Sequence, residues 1–226
     1  EMRKEFLSNV SHELKTPLTS ISGYSELIEN GMATDEDVTR FAHEIHKNSS
    51  RLLKLINDII RLSELDATDV KDSFEKINLY HIANTCVDML QVNAENHSVS
   101  LTFWGEPCFV YSTKEMMEEL LYNLCDNEIR YNYENGTVHV SVKNIDDRVI
   151  LTVKDTGIGI PPEHQERIFE RFYRVDKSRS KLTGGTGLGL AIVKHIVAQS
   201  DAQMELHSEV SKGTEIKIIF DKYTEN

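Results

Sequence analysis

The sequence predicts an α+β chain in two parts, an antiparallel helical hairpin followed by helices layered over a mostly antiparallel sheet. Two observations carry this. From Phe6 to Leu65 apolar side chains recur at three- and four-residue steps, the spacing of one helix face. Beyond about Glu75 helical segments mix with stretches that alternate apolar and other residues, without a regular βαβ repeat. At 226 residues the chain is comfortable for two domains, each with its own core.

The first helix carries Phe6, Val10, Leu14, Leu18, Ile21, Tyr24 and Ile28 on its stripe and stops at Asn30-Gly31, a good C-terminal signal. It begins without a capping residue, as expected of a fragment cut from a longer protein. Thr34 followed by Asp35, Glu36 and Asp37 offers an N-cap and an acidic first turn for the second helix. That helix lines up Val38, Phe41, Ile45, Leu52, Leu55, Ile59, Leu62 and Leu65. A short turn between them makes a hairpin over residues 1–69. Its stripe is too long for one partner helix to cover, so a dimeric four-helix bundle is expected. The alternative is a monomeric hairpin packed on the second domain.

A hinge at 70–75 leads into that domain, 76–226. Helices are expected from Leu79 to Ala94, opened by Asn78, and from Ser112 to Tyr131. Val138–Val142 and Val149–Val153 read as paired strands turning at Asp146-Asp147. After a glycine-rich stretch, a helix from Leu188 to about Gln199 and strands at Met204–His207 and Thr214–Phe220 close the chain.

Composition narrows the function. The net charge of −12 disfavours a nucleic-acid binder, which needs a basic footprint. Cys86, Cys108 and Cys125 lie far apart and read as ordinary thiols of a reducing compartment. No apolar run approaches the ~20 residues of a membrane span.

Three constellations carry chemistry. Ser11-His12-Glu13-Leu14-Lys15-Thr16-Pro17-Leu18 places His12 off the apolar stripe and towards solvent. A neutral imidazole is a competent nucleophile, and Glu13 is placed to accept the other ring proton or to orient the ring. Pro17 removes a backbone bond just past it. Alone, His12 reads equally as an ordinary surface side chain. In the second constellation, Asp155-Thr156-Gly157-Ile158-Gly159-Ile160 follows a strand. A carboxylate there can accept from an exocyclic amine while Gly157 and Gly159 admit a flat ring. The run Gly184-Gly185-Thr186-Gly187-Leu188-Gly189 then opens a helix whose amides suit phosphates. It does not follow a strand and so departs from the dinucleotide fingerprint. Between the two lie Arg167, Arg171, Arg174, Lys177, Arg179 and Lys181, with Phe169 and Phe172 at the base, as in a mobile lid. Third, Asn123 and Asn127 share one helix face, and an amide oxygen suits Mg²⁺ that otherwise binds water and phosphate. Arg130 is within reach of a phosphate, and Tyr131 of the nucleotide.

Together and in this order these segments resemble the boxes of sensor histidine kinases, along essentially the whole chain. The resemblance implies a dimerisation and phosphotransfer hairpin followed by an α/β sandwich of the Hsp90, gyrase, MutL and histidine-kinase type. It implies His12 as phosphoacceptor, Glu13 as its base, Thr16 as an aid to dephosphorylation, Asp155 as adenine reader and Asn127 as the Mg²⁺ ligand beside Asn123. Gly185, Thr186, Gly187, Leu188 and Gly189 would border the phosphates. ATP and Mg²⁺, a response-regulator receiver domain, a homodimer and a cytoplasmic position in a membrane sensor follow. A simple ATP hydrolase of this fold generally has glutamate where Asn123 stands. The other rival is a partner-binding pseudokinase or phosphatase-biased scaffold, raised by Glu128. The family pattern favours alanine there, and a carboxylate on the apolar face of Met117, Leu120, Leu121 and Leu124 is expected to oppose ATP unless it swings out to Arg130 or a lid base.

Overall fold

The computed structural model describes residues 2–67, 70–176 and 185–224. Helix α1 (Met2–Glu29) and helix α2 (Asp35–Ala67) form the hairpin. The cap of α2 is reciprocal: the Asp37 amide donates to the Thr34 hydroxyl, which donates to the Asp37 carboxylate at 2.8 Å. Tyr24 and Phe41 pack across the hairpin at 5.1 Å. Pro17 lies inside α1 and is buried.

A short 3₁₀ turn (Val70–Ser73) leads to β1 (Glu75–Asn78), which pairs antiparallel with β3 (Phe109–Ser112). Helix α3 (Leu79–Asn96) starts on Asn78, whose side chain accepts the His81 amide. Strand β2 (Ser100–Gly105) follows. Helix α4 (Lys114–Arg130) starts later than the periodicity implies, because Ser112 is held in β3 opposite Glu75 and Thr113 is the cap. Strands β4 (Thr137–Ile145) and β5 (Arg148–Asp155), helix α5 (Gly189–Gln199), and strands β6 (Gln203–Glu209) and β7 (Gly213–Asp221) complete the chain.

The main sheet runs β2-β4-β5-β7-β6, parallel only at β2–β4. One face buries Val138, Val140, Val142, Leu151, Val153, Ile216 and Ile218 under α3, α4 and α5. Alternation of period two makes this a two-layer sandwich. Strands β1, β2 and β3 were not foreseen.

The hairpin is packed on this domain. Leu55, Leu62 and Leu65 of α2 join the same core as the sandwich, and α2 lies against α5. The other apolar positions of the hairpin divide. Leu14 is half-buried, whereas Leu18, expected on the buried stripe, is 51% exposed, and Leu7, Leu53, Ile56 and Ile60 are exposed as well.

Candidate active site

Asp155 ends β5 with 3% of its surface exposed. One carboxylate oxygen accepts the Gly157 amide and the other accepts the Thr214 amide of β7 at 2.8 Å. Two backbone donors therefore fix the carboxylate at the floor of a cavity of about 450 Å³. The glycines that follow have a local cause. Side chains at Gly157 and Gly159 would run into the carbonyls of Tyr131 and Glu209 respectively, and Gly159 is left-handed at φ +66°. Glycine here admits the chain's own backbone, which ties the loop to α4 and to the β6–β7 turn.

Helix α4 supplies the side wall. Asn123, Asn127, Arg130 and Tyr131 line the cavity. The Asn123 amide donates to the Glu119 carbonyl at 2.9 Å, and a side chain at Gly189 would meet the Asn123 oxygen at 2.8 Å. Only glycine lets the first turn of α5 sit this close. Arg130 is held at 2.7 Å by Asp126, which also takes Lys54 of the hairpin at 3.4 Å. Burial alone would raise the Asp126 carboxyl, but Arg130 and Lys54 outweigh it and hold it below the usual range.

Glu128 does not swing out. It is 4% exposed and lines the cavity together with Asp155 and Asn127. Burial first, then the neighbouring Asp155 carboxylate, pushes its carboxyl well above the ordinary glutamate range. Asn127 lines the cavity, and an amide oxygen is suited to a hard cation. By its chemistry Asn127 is the residue that could hold Mg²⁺ here.

The far wall is the start of α5, where Gly185, Thr186, Gly187 and Gly189 line the cavity. The Thr186 hydroxyl donates to Asp58 of α2 at 2.6 Å, and burial is the main force raising the Asp58 carboxyl. Gly157, Phe169, Phe172 and Leu188 do not line the cavity; Ile168 and Tyr173 do. Phe172 instead meets Phe6 of the hairpin at 5.7 Å. Of the lid bases, Arg171 pairs with Asp66 at 2.8 Å and Arg174 with Glu13 at 3.1 Å, so this part of the lid is tied to the hairpin. Arg167 pairs with Glu170 in a 3₁₀ turn. Lys177, Arg179, Lys181 and Gly184 lie outside the described residues.

On the hairpin, His12 is 80% exposed, with Nδ1 3.9 Å from a Glu13 carboxylate oxygen. Glu13 also pairs with Arg51 at 3.4 Å. Thr16 donates to the His12 carbonyl at 3.2 Å. The hairpin residues Arg51, Lys54 and Asp58, together with Tyr173 and Thr214, were not anticipated. Asp58 had a signal: with Leu55, Leu62 and Leu65 it stands at steps of three and four on the buried stripe. Thr214 acts through its backbone, which no residue type announces.

Fold and site together define an α/β domain with a polar cavity, docked on a histidine-bearing helical hairpin. Residues 113–224 match the histidine kinase-, DNA gyrase B- and HSP90-like ATPase family, and residues 2–68 match the His Kinase A (phospho-acceptor) domain. The phosphate regulon sensor protein PhoR of Pseudomonas aeruginosa is 37% identical over 218 residues, 95% of this chain and 49% of that protein. The structure of full-length ShkA in complex with AMPPNP superposes with a TM-score of 0.71 at 26% identity, over 98% of this chain and 46% of that one. Histidine kinase ThkA in complex with response regulator protein TrrA gives 0.76 at 20% identity, over 97% of this chain and 61% of that one, a likeness of fold alone. The chain belongs to the sensor histidine kinase family. It spans between 36% and 58% of the length of the first curated relatives it matches.

Proposed function

We propose that the chain uses ATP to phosphorylate His12 and then passes the phosphoryl group to an aspartate of a response regulator. The observation that carries this is Arg174: it stands in the wall of the cavity, donates to the Gly185 carbonyl at 2.7 Å, and pairs with Glu13. The nucleotide cavity and the residue beside His12 are therefore joined through one side chain.

In this reading Asp155 accepts the adenine amine and the amides at the start of α5 receive the phosphates. Mg²⁺ held by Asn127 would offset charge on the phosphate oxygens. With Glu13 nearer Nδ1, the other ring nitrogen, Nε2, attacks the γ-phosphorus in line as ADP leaves, and the Nδ1 proton passes to Glu13. The product is a phosphoramidate, energetic enough to phosphorylate a carboxylate. ShkA, solved with AMPPNP, supports the same nucleotide class here. Exposed Leu7, Leu18, Leu53, Ile56 and Ile60 support a second copy covering the hairpin. Among the described residues no helix is long and apolar enough to cross a membrane, and the chain spans only part of its relatives' length; in this reading it is the cytoplasmic part of a larger membrane sensor. No observation favours the pseudokinase or scaffold alternative.

The test is labelling with γ-phosphate-labelled ATP. Acid-labile, base-stable phosphoprotein is expected, and its absence with intact ATP binding would remove the kinase reading. Thr16 separates the second activity. Thr16→Ala loses one exposed hydroxyl contact, about 0.5–1 kcal/mol, so autophosphorylation should hardly change. Removal of phosphate from the regulator should slow by on the order of tenfold if the hydroxyl positions water. Equal loss of both rates would make Thr16 a helix-supporting residue only.

A further inference from the structure

Helix α2 carries a carboxylate to the turn that opens α5. Asp58 follows Leu55 by three residues on the buried stripe, and its carboxylate accepts the Thr186 hydroxyl at 2.6 Å. Thr186 is itself buried, and its oxygen accepts the Leu188 amide at 3.3 Å. The three groups form a relay, from the Leu188 N–H to the Thr186 hydroxyl and from that hydroxyl to Asp58. Leu188 is the residue just ahead of α5, so its amide is one of those that find no partner within the helix. A nucleotide phosphate reaching this turn would seek the same donors. Thr186 lines the cavity and Asp58 does not, so the carboxylate draws on those donors from the hairpin side. We infer that Asp58 is an affinity-setting positioning residue: it holds the Thr186 hydroxyl and the Leu188 amide away from the nucleotide, so that hairpin docking and phosphate binding compete at the start of α5.

This rests on the reading of the cavity as the ATP site. The cations nearest along α2 are engaged elsewhere. Lys54, one turn before Asp58, pairs with Asp126 at 3.4 Å, and Arg61, three residues after it, pairs with Glu119 at 2.6 Å and Glu64 at 3.2 Å. Among the described residues the hydrogen bond of Asp58 is the one to Thr186. A phosphate entering the turn therefore meets a hydrogen bond it must break and a carboxylate whose charge repels it. Competition of this kind follows the phosphates and ignores the base, because Asp155 lies on the floor of the cavity and the start of α5 forms its far wall. It is also reciprocal: whatever docking takes from ATP affinity, ATP takes from docking.

The experiment titrates the purified chain with ATP and with adenosine, which lacks the phosphates, and records a melt for each variant. Asp58→Ala should bind ATP on the order of tenfold more tightly, as one charge-assisted hydrogen bond leaves the competition. Its affinity for adenosine should stay within about twofold of the parent, because the base contacts a separate wall. Asp58→Asn keeps the volume and an acceptor for the hydroxyl but loses the charge. It should tighten ATP binding in the same direction by a smaller factor, and it decides the matter if the alanine variant does not fold. ATP affinity that is unchanged or weakened would make Asp58 a support of the turn and overturn the proposal. An equal gain for adenosine would assign the effect to general loosening of the cavity and overturn it too. Asp155→Asn is the control for the site. If it leaves ATP binding unchanged, the cavity reading itself fails; if it weakens binding while Asp58→Ala brings no gain, only the competition fails.

Discussion

His12→Gln is expected to abolish autophosphorylation, by on the order of a thousandfold or more, while leaving ATP binding and stability unchanged. The size follows from chemistry. Removing a nucleophile takes away the covalent step itself, whereas glutamine keeps a similar volume and a polar end. The unchanged affinity follows from geometry: His12 is absent from the cavity lining, and the route from the cavity to it runs through Arg174 and Glu13. The unchanged stability follows from exposure, since His12 projects from α1 into solvent and surface substitutions usually stay within about 0.5 kcal/mol. Measurement needs ATP titration, a melt and gel labelling on one preparation. Persistent acid-labile label would move the acceptor to another histidine, exposed His43 and His46 on α2 being the first to replace.

What the sequence could and could not disclose divides along a physical line. Long helices and long alternating strands were legible because each carries many side chains of one period: α1, α2, α3, β4, β5 and β7 all lie where their patterns place them. Four-residue β1 and β3 offer too few side chains for a period, and β2 lies at the edge of its sheet, where half its residues are exposed. The site residues on α4 and at the start of α5 were legible because residue type and spacing state their chemistry. The residues that join hairpin to domain were not. Lys54 and Asp58 take their roles from docking against Asp126 and Thr186, partners far away in the chain, and Arg51 takes its role from Glu13 across the hairpin. Phe172 shows the opposite error: an aromatic expected near the nucleotide packs on Phe6 instead, since residue type sets appetite for burial and says nothing of the partner.

Asp155→Ala should weaken ATP binding by on the order of a hundredfold, the largest affinity change any single cavity side chain is expected to produce. The alanine removes the proposed acceptor for the adenine amine and leaves two amide N–H groups, those of Gly157 and Thr214, facing a gap. Each unsatisfied buried donor costs about 1–3 kcal/mol unless water enters, so the variant should also melt lower. Loss of fold and loss of recognition must therefore be told apart. Asp155→Asn does this, because its side-chain oxygen still accepts one amide while its N–H₂ end faces the other donor and the base. It should retain more stability than alanine yet still bind ATP poorly. An Asp155→Asn chain that is folded and binds ATP as the parent does would take the adenine-reading role away from Asp155 altogether.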